Sequence, residues 1–157
     1  MKTIDEWLSE YGESHRNKTN QVIHKVCVPA IEFSLLGILW LIPTPSSFWS
    51  IPYLNWATLF CAFALLFYLS LKSARYFIGS VLMLIPMLVV INYLRVNFGG
   101  IIIYGFVGLF IISWVGQFIG HRIEGKKPSF LKDLFFLLIG PLWVLRSLYR
   151  KIGIKTT

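Results

Sequence analysis

The sequence has 157 residues, 56% of them hydrophobic and only 14% charged, where a soluble domain is nearer a quarter charged. Its apolar residues fall in blocks long enough to cross a hydrocarbon core, which takes about 20 helical residues, so composition excludes an ordinary soluble domain. The formal net charge of +8 sits at the ends of those blocks, where the positive-inside rule places it, and no soluble surface is left to bind nucleic acid.

Thr3 to Glu13 reads as a short amphipathic helix. Thr3 and Glu6 match a capping box, and Ile4, Trp7, Leu8 and Tyr11 recur at i, i+3, i+4, i+7 as one apolar stripe. Such a helix fits the membrane interface, with Trp7 and Tyr11 at headgroup level. It fits equally well a helix packed on its own bundle. The polar start also argues against a signal peptide.

The first long apolar run, about Val22 to Ile42, carries Lys25 near its start and Glu32 inside. An uncharged loop follows, with Phe48, Trp49, Tyr53 and Trp56 as an aromatic belt. The second run, roughly Trp56 to Leu71, ends at Lys72 and Arg75. The third, Tyr76 to Leu94, contains Pro86, which in a membrane kinks a helix rather than ending it. The fourth, Phe98 to Gly120, carries Gly116-x-x-x-Gly120, a small-residue pattern that permits close helix approach and suits a homodimer. Cys27 and Cys61 lie inside apolar runs and read as small buried hydrophobes.

Lys2, Arg16, Lys18 and Lys25 precede the first run, Lys72 and Arg75 separate the second from the third, and Arg122, Lys126 and Lys127 follow the fourth. That bias puts the amino terminus, the second loop and the region after the fourth run in the cytoplasm. His15, His24 and His121 then share one membrane face. A fifth run, Phe130 to Leu145, is short, opens with Lys132 and Asp133, and is interrupted by Gly140-Pro141. A re-entrant or interfacial hairpin turning there keeps Arg146, Arg150, Lys151 and Lys155 cytoplasmic. The expected fold is all-α, a polytopic membrane helix bundle forming a single integral-membrane domain over residues 1–157. It has about four transmembrane helices, a C-terminal helical hairpin and a short amphipathic N-terminal helix.

Three histidines at two membrane junctions suggest one metal site. His15 and His24 are about 900° apart on an unbroken helix, so they face opposite ways unless the chain bends between them. Arg16 to Asn20 is polar enough for a bend, with Thr19 or Asn20 as a helix cap. Gln117, His121 and Glu124 stand at i, i+4, i+7, and a carboxylate so placed can bind a metal or orient the imidazole. Neutral imidazole suits zinc, copper and iron, and two His with a carboxylate suit non-haem Fe(II). The competing reading makes the histidines interfacial polar groups and a helix-end cation. Their grouping on one face, amid Asn, Gln and Glu at costly membrane depth, favours a site. Glu32 lines a polar cavity, carries protons, or pairs with Lys25, Arg75 or Arg122. No nucleophile elbow, P-loop or dinucleotide fingerprint occurs.

Tyr11-x-x-x-His15-x-Asn17-x-x-Asn20-x-x-x-His24-x-x-x-x-Pro29, followed by Gln117-x-x-Gly120-His121-x-x-Glu124-x-x-x-Pro128, resembles the 2-hydroxy fatty acid dioxygenase family. The family includes the fungal enzyme of phytosphingosine breakdown, and the resemblance spans nearly the whole chain. It implies an Fe(II)-dependent membrane dioxygenase that carries out α-oxidation. A long-chain 2-hydroxy fatty acid would react with O₂ and leave a fatty acid one carbon shorter. Its implied metal ligands are His15, His24 and His121, supported by Glu124, Asn20 and Gln117. Arg122 and Lys126, with Lys127 or Lys18, would attract the substrate carboxylate, and Asn17 joins Arg122 and Lys126 as a substrate-binding candidate. The expected partners are the 2-hydroxy acid, O₂ and membrane lipid, without nucleic acid. The membrane is a bacterial inner membrane or the endoplasmic reticulum. The alternatives are a small proton- or ion-coupled transporter using Glu32 and the histidines, and a membrane scaffold.

Overall fold

The computed structural model describes residues 2–131 and 133–154. Lys132 and Lys155, which bear on the fifth run, lie outside the described residues. Six α-helices and three short 3-10 turns make up the described chain, in agreement with the all-α expectation.

Helix α1 spans Ile4–Gly12 and opens with the expected capping box. The Thr3 hydroxyl accepts from the Glu6 amide at 3.3 Å, and the Glu6 carboxylate accepts from the Thr3 amide at 2.6 Å. Its stripe settles which of the two settings applies. Trp7, Leu8 and Tyr11 are buried in a cluster with Phe136, Ile139 and Leu142, and the rings of Trp7 and Phe136 meet edge to face at 5.1 Å. The helix is packed on its own bundle rather than presenting these aromatics outward.

Helix α2 spans Lys18–Leu41. Its cap is Asn17, two or three residues earlier than expected, and the side-chain oxygen accepts from the amides of Thr19 and Asn20. The bend required between His15 and His24 therefore falls at residues 13–17. After a loop that contains a 3-10 turn at Ser46–Phe48, Asn55 caps α3, Trp56–Ser70. Trp56 leans back across this loop and donates its indole N–H to the Pro43 carbonyl at 3.1 Å.

Helix α4 spans Ala74–Phe98 and runs through Pro86 without a break. Gly99, at φ 64°, takes the left-handed conformation that an L side chain resists and ends it. A 3-10 turn at Gly99–Ile101 then leads into α5, Ile102–Glu124. Gly125, at φ 71°, closes α5, with its amide on the Arg122 carbonyl and the Lys126 amide on that of His121. This Schellman pattern fixes the turn that carries His121 and Glu124.

The most extensive helix pair is α2 with α5. Gly116 and Gly120 make it possible. A Cβ at Gly116 would stand 2.7 Å from the Cys27 sulfur, and one at Gly120 would collide with the Asn20 side-chain oxygen. The small-residue stripe is thus filled by α2 of the same chain and is not free to form a homodimer, which corrects that expectation.

The hairpin at Gly140-Pro141 is also corrected. Helix α6, Phe136–Lys151, runs continuously through both residues. Gly140 serves close packing instead of a turn, since a Cβ there would lie 3.3 Å from the Tyr11 hydroxyl and 3.4 Å from Val28. Pro141 removes one amide in the second turn and leaves the helix intact. The Tyr68 hydroxyl donates to the Leu138 carbonyl at 2.9 Å and ties α3 to this stretch.

Two helical stretches are long and apolar enough to cross a membrane, Lys18–Leu41 and Ala74–Glu124, while α3 is a shorter apolar helix. Large apolar side chains on α3, α4 and α5, among them Leu66, Leu82, Val89, Ile112 and Phe118, face outward. Core helices of a water-soluble protein would bury such residues.

Candidate metal centre

Residues 13–17 turn the chain between α1 and α2 and bring His15 back over the first turns of α2. His15, His24 and His121 are all buried, and one nitrogen from each lies within 4.8 Å of the others. The His24 and His121 Nε2 atoms are 3.2 Å apart, and the ring centroids of His15 stand 4.3 Å from His24 and 5.1 Å from His121.

The outer nitrogens settle which inner ones are free. His15 Nδ1 lies 2.6 Å from the Tyr11 carbonyl, and His24 Nδ1 lies 3.1 Å from the Asn20 carbonyl. A carbonyl only accepts, so both Nδ1 atoms carry the proton and both Nε2 atoms present lone pairs. His15 Nε2 is buried without a hydrogen-bond partner. Burial pushes the His15 imidazole down to about 4 despite the Tyr11 hydrogen bond, so it is neutral at physiological pH. Neutral imidazoles turned by carbonyls in this way suit a divalent metal. Metal–nitrogen bonds of about 2.1 Å put neighbouring ligand nitrogens about 3 Å apart, close to the His24–His121 separation. The donor set fits a metal.

Glu124 does not reach into the cluster with its carboxylate. One oxygen accepts from the Arg16 amide at 2.8 Å, and the other accepts from the Asn17 amide at 2.8 Å and the Asn20 side chain at 3.0 Å. It clasps the His15 loop to the end of α5. Asn20 is fully buried and also donates to the Ser14 carbonyl at 3.1 Å. Its oxygen has no partner and rests against Gly120. Gln117 is buried one turn before His121.

The other nominated residues stand apart from the cluster. The oxygen of Asn17 is used in the α2 cap. Lys126 reaches back to the Glu13 carbonyl at 2.9 Å, and Arg122 is exposed. Four further residues shape the site. Tyr11 stacks on His15 with centroids 4.1 Å apart, Trp143 of α6 lies 5.2 Å away, Gln21 donates to the His15 carbonyl at 2.8 Å, and Gly120 admits the His24 ring. Tyr11, four residues before His15, had a sequence signal, whereas Trp143 had none.

Two cavities flank the histidines. One, of about 620 Å³, is lined by His121, Gln117 and Tyr11 and then by apolar side chains such as Val28, Leu35, Phe60 and Phe110. Glu32 also lines it, with one carboxylate oxygen buried and unpartnered. None of the expected partners, Lys25, Arg75 or Arg122, makes an ion pair with Glu32 among the described residues. The other cavity, about 490 Å³, opens beside His15 and is polar.

A family model described as "2-hydroxy-palmitic acid dioxygenase Mpo1-like" matches residues 1–152. The 2-hydroxy-palmitic acid dioxygenase MPO1 of Saccharomyces cerevisiae (strain S288c) is 30% identical over 148 residues, covering 93% of this chain and 79% of the yeast protein. No solved structure matches.

Proposed function

This chain belongs to the Mpo1-like dioxygenase family, and from that premise we propose that it is an Fe(II)-dependent dioxygenase of long-chain 2-hydroxy fatty acids. The product is the fatty acid one carbon shorter, and carbon dioxide with water completes the balance with O₂. The observation that carries this reading is the trio of buried imidazoles beside a mostly apolar cavity.

His15, His24 and His121 would hold the iron. When bound, iron supplies the activation of O₂ and a point of attachment for the vicinal oxygens of the substrate. The Tyr11 and Asn20 carbonyls hold protons on the outer nitrogens and aim the inner ones. Glu124, Asn20 and Gln21 keep the His15 loop docked. The apolar cavity takes the acyl chain, its volume within the roughly 300–1,000 Å³ range of small-molecule sites.

The exposed apolar side chains of α3, α4 and α5 support a multi-pass membrane protein with α3 as a shorter fourth span, and the basic residues flanking His15 and His121 support a cytoplasmic face for the histidines. The transporter alternative gains no support, because α2 is continuous through Glu32 instead of unwound there. The test is oxygen uptake by purified, iron-loaded protein with 2-hydroxypalmitic acid, with the shortened acid identified by mass spectrometry. Uptake with 2-hydroxypalmitic acid but not palmitic acid supports the reading, and none with either sinks it.

A further inference from the structure

The polar cavity beside His15 has no carboxylate in its wall. Arg16 lines it from the bend before α2 and Lys25 from the second turn of α2, and Arg146 and Arg150 line it one turn apart from α6. Arg16, Lys25 and Arg150 are exposed and Arg146 is half-buried, so these four cations line about 490 Å³ that is open to solvent, and an anion among them would reduce their mutual repulsion. Among the described residues, Asp5 is half exposed and 4.0 Å from Arg146, and Glu124 sits beside Arg16 with its carboxylate already engaged by the Arg16 and Asn17 amides and the Asn20 side chain. Arg146 Nε is itself buried with no partner, a donor left without its acceptor. His15 and Trp143 also line this cavity and His121 lines the apolar one, so the two cavities reach the histidine cluster at different members.

An apolar chamber, three histidines and a cationic chamber in sequence match the layout of an amphiphile with a carboxylate head. We infer that Arg146, with Arg150, Arg16 and Lys25, forms the binding site for the carboxylate of the acyl substrate. The inference deepens the dioxygenase reading and rests on it. It reassigns the head group from Arg122 and Lys126, which lie outside both cavities, to the α2–α6 side of the cluster. Arginine suits the task because its planar fork matches a carboxylate and stays charged at any physiological pH.

The test is equilibrium binding to the full-length, iron-loaded protein under nitrogen, comparing 2-hydroxypalmitic acid with its methyl ester. The ester keeps the tail and the hydroxyl but carries no charge. Wild type is expected to bind the acid about ten- to hundredfold more tightly, the worth of a hydrogen bond to a charged group. Arg146→Gln should lose most of that preference and leave the ester affinity and iron content unchanged. Arg150→Gln, whose side chain is exposed and whose loss threatens the fold less, should lose part of it. Arg95→Gln, at the far end of α4, should lose none. An undiminished preference in both Arg146→Gln and Arg150→Gln overturns the inference, as does transfer of the effect to Arg122→Gln. It is also overturned if the two variants alter only the affinity for phosphatidylglycerol over phosphatidylcholine nanodiscs, which would make the cavity a lipid headgroup site. Oxygen is absent from the comparison, so a failure of the dioxygenase reading would show separately, as no O₂ uptake by a protein that still prefers the acid.

Discussion

The Nε2 atoms of His24 and His121 lie 3.2 Å apart although ninety-seven residues separate them in the chain. Their meeting depends on two glycines. Gly116 and Gly120 let α5 approach α2 so closely that the His24 ring lies 3.3 Å from where a Gly120 Cβ would stand. The small-residue stripe and the histidine cluster are one construction.

Gly120→Ala should therefore lower stability by about 1–3 kcal/mol, the usual cost of overpacking, and should reduce iron occupancy. Gly108 lies on the same helix with nothing within 4 Å of its Cβ position. Gly108→Ala should be neutral or slightly stabilising, because it only removes backbone freedom. Thermal melts and elemental analysis of the two variants side by side make the comparison.

Glu124 acts on His15 through backbone amides, so shape and charge both matter. Glu124→Gln keeps one acceptor and should weaken iron affinity about 10-fold, while Glu124→Ala should approach 100-fold, the range seen for groups that orient metal ligands. Competition against a calibrated chelator measures both. Equal affinity in wild type and Glu124→Ala would contradict the clasp.

The metal-free protein should lose stability in mild acid. Burial lowers the His15 value from 6.5 to about 4 in the folded state, so between those values the unfolded chain binds more protons than the folded one. Stability is fully present above about pH 6.5 and falls as the pH drops toward 4. A melting series of apo-protein from pH 7.5 to 4.5 should show that slope, and His15→Gln should flatten it.

An acyl chain seated in the apolar cavity predicts a chain-length effect. Leu35 lines it eleven residues after His24, about 16 Å along α2. Leu35→Trp should raise KM for long 2-hydroxy acids several-fold and spare short ones. A uniform change across chain lengths would contradict this path for the tail.

The grouping of His15, His24 and His121 was legible because basic residues flank the same ends of the apolar runs that carry them, and the paired motifs around the three point to the same cluster. Local signals were legible too, such as the Thr3–Glu6 capping box. Long-range partners were not. The i, i+4, i+7 spacing identified Glu124 as belonging to the site, but only the fold reveals that it grips the amides of Arg16 and Asn17. Gly140-Pro141 looked like a turn because both residues end helices in isolation, yet Gly140 is there to admit Tyr11 and Val28. The cationic cavity joins residues 16 and 25 to 146 and 150, and no periodicity links positions so far apart.

Iron content of detergent-purified protein tests the central claim most directly, measured by elemental analysis for wild type, His24→Ala and His121→Ala. The account predicts iron in simple proportion to wild-type chains and its loss from both variants, with their helical content by circular dichroism retained. Wild type that takes up no metal after anaerobic Fe(II) reconstitution, or variants that keep a full complement, would contradict it.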